Sequence, residues 1–229
     1  MAKKMKKKIH IKILPIIIIL LAFSMIFFIF QYLSTLPIKN IYIIGNSYLT
    51  DQEIIELAKI EDYPSFLKTT KKEIKNNIKR NVLVDSVIIS KKWWGIIEIK
   101  VKEHNILFRE YNDDTKVVLD NKKILEDSTN RYKVPKLLNY VPDNKYKDFI
   151  NGMNRVTEDI KLQISEISYL PNEQDKDRFL LYMNDGNYVY LTLTKFKQIN
   201  YYEDVLKKLK GKKGILYLDS GNHFKIMGE

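Results

Sequence analysis

The 229-residue sequence contains no cysteine, so neither a disulfide framework nor thiolate chemistry is available to it. Histidine is nearly as scarce. The three present, His10, His104 and His223, have no metal-ligand spacing, which argues against a metal centre. Eight glycines are scattered without a phosphate-cradling loop, and no G-x-S-x-G elbow is present. Internal repeats and low-complexity tracts are absent as well.

Against these absences stands one long apolar run. Residues 13–30 read ILPIIIILLAFSMIFFIF, uncharged throughout, with Tyr32 and Leu33 extending it towards an interfacial end. About 20 such residues in a helix cross a hydrocarbon core of roughly 30 Å, so residues 13–33 are expected to be a transmembrane helix. Pro15 falls in its first turn, where a missing N–H costs little. Lys3, Lys4, Lys6, Lys7, Lys8 and Lys12 precede the run without an acid among them. By the positive-inside rule they set the topology, with residues 1–12 a cytoplasmic basic tail and the rest extracytoplasmic. A cleaved signal peptide would need a shorter apolar core and a small-residue site, which residues 31–37 (QYLSTLP) do not offer.

Those six lysines account for +6 of the formal net charge of +11, leaving +5 outside the membrane. Lysines dispersed among acids read as a solvated surface and not as a nucleic-acid footprint. With 12% aromatic residues and many isoleucines and leucines, the exported region has the apolar area for a packed core.

Residues 38–44 (IKNIYII), ending at Gly45-Asn46, predict a first strand. Thr50 with Glu53 and Thr70 with Glu73 have capping-box spacing and open two short helices. Residues 82–90 and the alternating Ile97, Ile99 and Val101 predict two strands joined at Trp93-Trp94-Gly95, with one tryptophan inward and one outward. The order strand, helix, helix, strand, strand is a small α+β domain. Beyond it come short strands, an amphipathic helix over about 144–163, and a hairpin turning at Asp185-Gly186. A second helical face runs from Ile199 to Leu209, followed by strands at 215–218 and 224–227, the last a sheet edge.

Candidate chemistry is thin. Glu103-His104 and Asp219 with His223 could pair a base with an orienting acid, but strand neighbours point to opposite faces. The carboxylate pairs Glu126-Asp127, Glu158-Asp159 and Glu203-Asp204 do not show the cleft of a wall-cleaving glycosidase. An enzyme is therefore not expected, nor a cofactor or small-molecule substrate. What remains is interaction: an edge strand offers unpaired backbone groups to a partner strand, or is merely solvated and blunted by Lys225.

Residues 87–93 (VIISKKW) followed by 97–103 (IEIKVKE), with Ile43-Ile44-Gly45-Asn46, Lys133-Val134-Pro135-Lys136-Leu137 and the terminal Tyr217-Leu218-Asp219-Ser220-Gly221, resemble the FtsQ/DivIB family of bacterial cell-division proteins. Trp94 and Ile106 stand where that family often has proline. The resemblance implies an α+β chain: one N-terminal transmembrane helix, a POTRA domain (β-α-α-β-β) at 37–104, and a mixed β-sheet domain with flanking helices at 105–229. It also implies a non-enzymatic single-pass protein of the cell membrane and division septum. Its partners would be the FtsB/DivIC-like and FtsL-like single-span proteins, bound at edge-strand residues Tyr217, Leu218, Phe224 and Ile226. The alternative is a POTRA-bearing factor of polypeptide secretion or membrane assembly.

Overall fold

The computed structural model describes residues 13–209 and 211–227; the six N-terminal lysines lie outside the described residues. The apolar run forms one helix, α1 (Ile13–Leu33), of 21 residues. At 1.5 Å per residue it is about 32 Å long, enough to cross a membrane.

The described residues fall into two compact units, the first drawn from residues 13–80, α1 included, with 87–101, the second from residues 81–86 with 102–227. The first holds β1 (Asn40–Ile44), α2 (Asp51–Ala58), α3 (Lys71–Ile78) and most of β2 (Val84–Lys92) and β3 (Ile96–Glu103), in the expected order. The sheet runs β1-β3-β2, with β1 parallel to β3. Thr50 and Glu53 close a reciprocal capping box on α2, and Lys59 ends it in the left-handed region. Thr70 Oγ1 accepts from Glu73 N–H at the start of α3. Ile54, Ala58, Ile74 and Ile78 are buried on the helices, and Ile97, Ile99 and Val101 are buried on β3, where their period-two spacing puts all three on one face.

The Trp93–Gly95 turn between β2 and β3 departs from expectation, because both tryptophans are exposed. Trp94 has φ 70, a value closed to proline, so this turn differs from one built on a proline at that position.

The second unit is a nine-stranded mixed sheet in the order β12-β11-β10-β9-β8-β7-β4-β5-β6. Its strands are β4 (Ile106–Arg109), β5 (Lys116–Leu119), β6 (Ile124–Glu126), β7 (Lys136–Leu137), β8 (Ile164–Tyr169), β9 (Arg178–Met183), β10 (Tyr188–Thr192), β11 (Gly214–Tyr217) and β12 (His223–Ile226). Helices α4 (Asp143–Met153), α5 (Glu158–Lys161) and α6 (Tyr202–Leu209) accompany it. The core centres on Phe149, Phe179 and Phe196, with Phe149 stacked on Phe179 at 4.9 Å between centroids.

The helix expected over 144–163 is two helices. Asn200 explains the break: its Oδ1 accepts from Thr157 N–H at 3.0 Å and its Nδ2 donates to Arg155 O at 2.9 Å, satisfying backbone groups that a continuous helix would pair internally. The helical face expected from Ile199 begins instead as a 3-10 stretch, Leu193–Tyr201, and becomes α-helical only at Tyr202.

Candidate functional site

Among the described residues the sheet ends at β6 on one side and β12 on the other, and the predicted edge-strand residues gather at the second. β11 runs parallel to β10 and antiparallel to β12, with Leu216 opposite Phe224 and Tyr217 opposite His223. The parallel β10–β11 step requires a crossover, supplied by the 3-10 stretch and α6. One polar knot fixes where β11 begins. Asn187 is buried in the Asp185-Gly186 turn, and its Oδ1 accepts from Gly214 N–H at 2.8 Å. Its Nδ2 donates to Asp185 Oδ2 and to the Tyr202 hydroxyl, each at 2.9 Å, and that hydroxyl donates to Asp185 Oδ2 at 2.9 Å.

Burial first, then the neighbouring Asp185 carboxylate, pushes the Tyr202 hydroxyl far above the ordinary phenol range, so it stays protonated as a donor. Tyr202→Phe is expected to cost about 1–3 kcal/mol by leaving buried polar groups short of a partner. An unchanged denaturation midpoint would contradict that role for the knot.

The outer face of this edge carries a ladder of rings. The Arg178 guanidinium lies 3.6 Å from the Tyr190 ring centroid, Tyr190 stacks on Tyr217 at 5.4 Å, and Tyr217 stacks on His223 at 4.7 Å. Arg178 Nε also donates to Asp219 Oδ2 at 2.7 Å, so Asp219 serves the ladder; His223 Nδ1 lies 3.1 Å from Ser220 O. The base-and-acid arrangement considered for Asp219 and His223 is therefore not formed. His104 Nδ1 lies 2.6 Å from Asp120 Oδ1, at the open end of the β4–β5 hairpin. Of the carboxylate pairs, Asp127 is taken up by Arg109, Glu158 by Lys161, and Glu203 accepts from Gln163. Among the described residues no group of three or more His, Asp or Glu side chains is placed to hold a metal ion.

The four predicted edge residues take three different positions. Tyr217 is half-buried on the outer face; Phe224 and Ile226 are half-buried on the inner face, where Phe224 packs against the core. Leu218 is buried behind the edge, its N–H bonded to Tyr190 O at 2.7 Å and its carbonyl accepting from Lys195 Nζ at 2.7 Å. Met227 N–H donates to Lys213 O at 2.9 Å, which with the Ile215–Lys225 register makes alternate pairs the hydrogen-bonded ones. The N–H and C=O groups of Phe224 and Ile226 consequently face the free side. Sequence reasoning missed Gly214, Arg178, Tyr190 and the ladder role of His223. The i, i+2 alternation within β12 was the one available signal, since it puts His223 and Lys225 opposite Phe224 and Ile226.

Comparison with known proteins gives two domain matches. Residues 36–104 match the model for the POTRA domain of FtsQ type, and residues 107–220 match that for the C-terminal region of cell division protein FtsQ/DivIB. The second match ends just before β12. Cell division protein DivIB of Bacillus subtilis is 30% identical over 221 residues, covering 92% of this chain and 84% of that one. DivIB of Bacillus cytotoxicus is 28% identical over 221 residues, covering 93% and 86%. The solved major extracytoplasmic domain of DivIB from Geobacillus stearothermophilus aligns with TM-score 0.39 and 22% identity, over 48% of this chain and 96% of that one.

Proposed function

The chain belongs to the FtsQ/DivIB family of bacterial cell-division proteins, and from that premise we propose that it is a non-catalytic, single-span scaffold of the division machinery. Its N-terminus is cytoplasmic and its two folded units are extracytoplasmic at the septum. There it binds single-span partners of the FtsB/DivIC and FtsL kind and so links recruitment to control of septal wall synthesis. The observation that carries this reading is β12, a short edge strand with the backbone groups of Phe224 and Ile226 turned outward. A partner segment in extended conformation completes the ladder. Backbone bonds supply affinity, and the alternate side chains His223 and Lys225 on one face, Phe224 and Ile226 on the other, supply selectivity. Leu218 and Tyr217 hold the edge from behind.

Phe224 is a poor site for a test, because a charge or a proline there also removes a ring from the core. Ile226 is the better one. Ile226→Pro deletes an outward N–H while leaving the inward-facing bonds of Lys225 and Met227 in place, and proline is tolerated at such edge positions. The variant is expected to remain folded, to weaken partner binding about tenfold or more, and to lose its mid-cell band as an N-terminal fluorescent fusion in dividing cells. Even peripheral labelling by the unaltered chain through the cell cycle would count against the division reading and favour a secretion role.

A further inference from the structure

The protein has two tryptophans, and they are adjacent in the turn joining β2 to β3. Trp93 is 89% and Trp94 82% exposed, more than any large apolar side chain of helix α1. Two adjacent exposed rings of that size form a contiguous apolar patch, the kind of surface that marks a contact site. Trp94 also sits at φ 70 and ψ 26, a left-handed conformation that glycine or asparagine adopts at lower cost. Such strain is retained where the position itself is useful.

The turn lies against the segment that leaves α1. Lys39 N–H donates to Gly95 O at 2.8 Å, and a Cβ at Gly95 would stand 3.2 Å from Pro37 O. A second loop of the same unit meets that segment too. Ser65 Oγ donates to Ser34 O at 2.5 Å, Phe66 N–H to Leu36 O at 2.9 Å, and Ile38 N–H to Pro64 O at 3.0 Å. This loop also presents apolar groups, the exposed Tyr63 and Leu67. Lys91 ties the two loops together: its Nζ donates to Thr69 O at 2.9 Å and lies 4.2 Å from the Phe66 ring centroid. Ser34 follows α1 directly. Pro37, four residues on, is at most roughly 14 Å from the helix end, at about 3.5 Å per residue.

We propose that the Trp93-Trp94 turn, with Tyr63 and Leu67 beside it, seats in the outer headgroup layer of the bilayer that α1 crosses. The POTRA unit is thus attached to the membrane at a second point. The inference rests on α1 being a membrane span. Indole rings favour this layer because they are apolar in body and carry one N–H for the wet side. Lys39 and Lys68, on the same two segments, add attraction to anionic headgroups. A second attachment limits the tilt of the POTRA unit about the helix end, which a single flexible tether would not do.

Tryptophan emission reads this turn alone, since the chain has no other tryptophan. The full chain would be reconstituted in phosphatidylethanolamine–phosphatidylglycerol vesicles and recovered by flotation. The expected result is emission shifted to the blue of hydrated tryptophan, little quenching by aqueous acrylamide, and loss of most intensity to lipids brominated near the headgroup, less to lipids brominated deep in the chain. Trp93→Phe and Trp94→Phe assign the signal to each ring. A chain that floats with the vesicles yet shows hydrated, acrylamide-accessible emission overturns the seating and leaves the turn free for a protein partner. Failure to float overturns the span and the seating together.

Discussion

Gly214→Ala is expected to release β12 from the sheet while the remainder of the second unit stays folded. A Cβ at this position would stand 2.1 Å from Lys225 O and 2.6 Å from the Phe224 ring. The first of these is backbone, which no change of rotamer can move aside. Moderate overpacking in a core costs about 1–3 kcal/mol. β12 is four residues long and held on one side only, so moving it away is the cheapest relief. Leaving also takes Phe224 off the core and exposes β11 as a new edge with a different set of side chains. Amide hydrogen exchange would show the protection of Lys225 and Met227 falling to that of a loop while β9 and β10 stay protected. Partner binding would be lost with them. Undiminished protection of β12 in a folded Gly214→Ala chain would show that this edge accommodates the methyl group and that its close packing is not what positions it.

A comparably large effect is expected at the opposite side of the sheet, where Arg109 and Asp127 form a buried ion pair at 2.6 Å. Arg109 also donates to Asp114 O, Asn130 Oδ1 and Tyr132 O, while Asp127 accepts from the N–H groups of Arg131 and Tyr132. Together these organise the loop between β6 and β7. Burial pushes the Asp127 carboxyl upward, but the bonds from Arg109 and the two backbone N–H groups outweigh it, leaving the group below the usual carboxylate range. Asp127→Ala should cost about 3–5 kcal/mol, because it strands a buried guanidinium. The double replacement Arg109→Met with Asp127→Leu should cost less than the single one. Because the folded-state pKa lies below the unfolded value, the stabilisation is fully present above about pH 4 and is lost as pH falls through the folded value. Denaturation of Asp127→Ala should accordingly show less acid sensitivity than the unaltered chain. A loss under 1 kcal/mol at neutral pH would mean that this pair contributes little.

Much of the architecture is written in local signals. The apolar run of α1, the Thr50–Glu53 box and the alternation of Ile97, Ile99 and Val101 each reflect chemistry within a few residues, and each is found where expected. The Asp185-Gly186 hairpin is of the same kind, with Gly186 at φ 86. What was not legible depends on residues distant in sequence. The break between α4 and α5 depends on Asn200, more than forty residues along. The outward placement of both tryptophans depends on a turn held by Lys39. At the candidate site, the short run at 224–227 reads as an edge strand, and β12 is found at the edge of the sheet. Leu218 facing inward, Phe224 packing on the core and the Arg178–Tyr190–Tyr217–His223 ladder required the β10–β11–β12 register, which only the folded crossover defines.

Strand pairing at β12 can be tested directly because the chain has no cysteine. Lys225→Cys in the full chain places a single thiol on the edge, and successive single cysteines can be placed along the extended segment of an FtsB/DivIC-like partner. Disulfide trapping in dividing cells is predicted to give cross-links at alternate partner positions, the period of a strand lying beside β12, and to lose them when Ile226→Pro is added. Cross-links at every position, at helical spacing or at none, with both proteins present at the septum, would contradict the account.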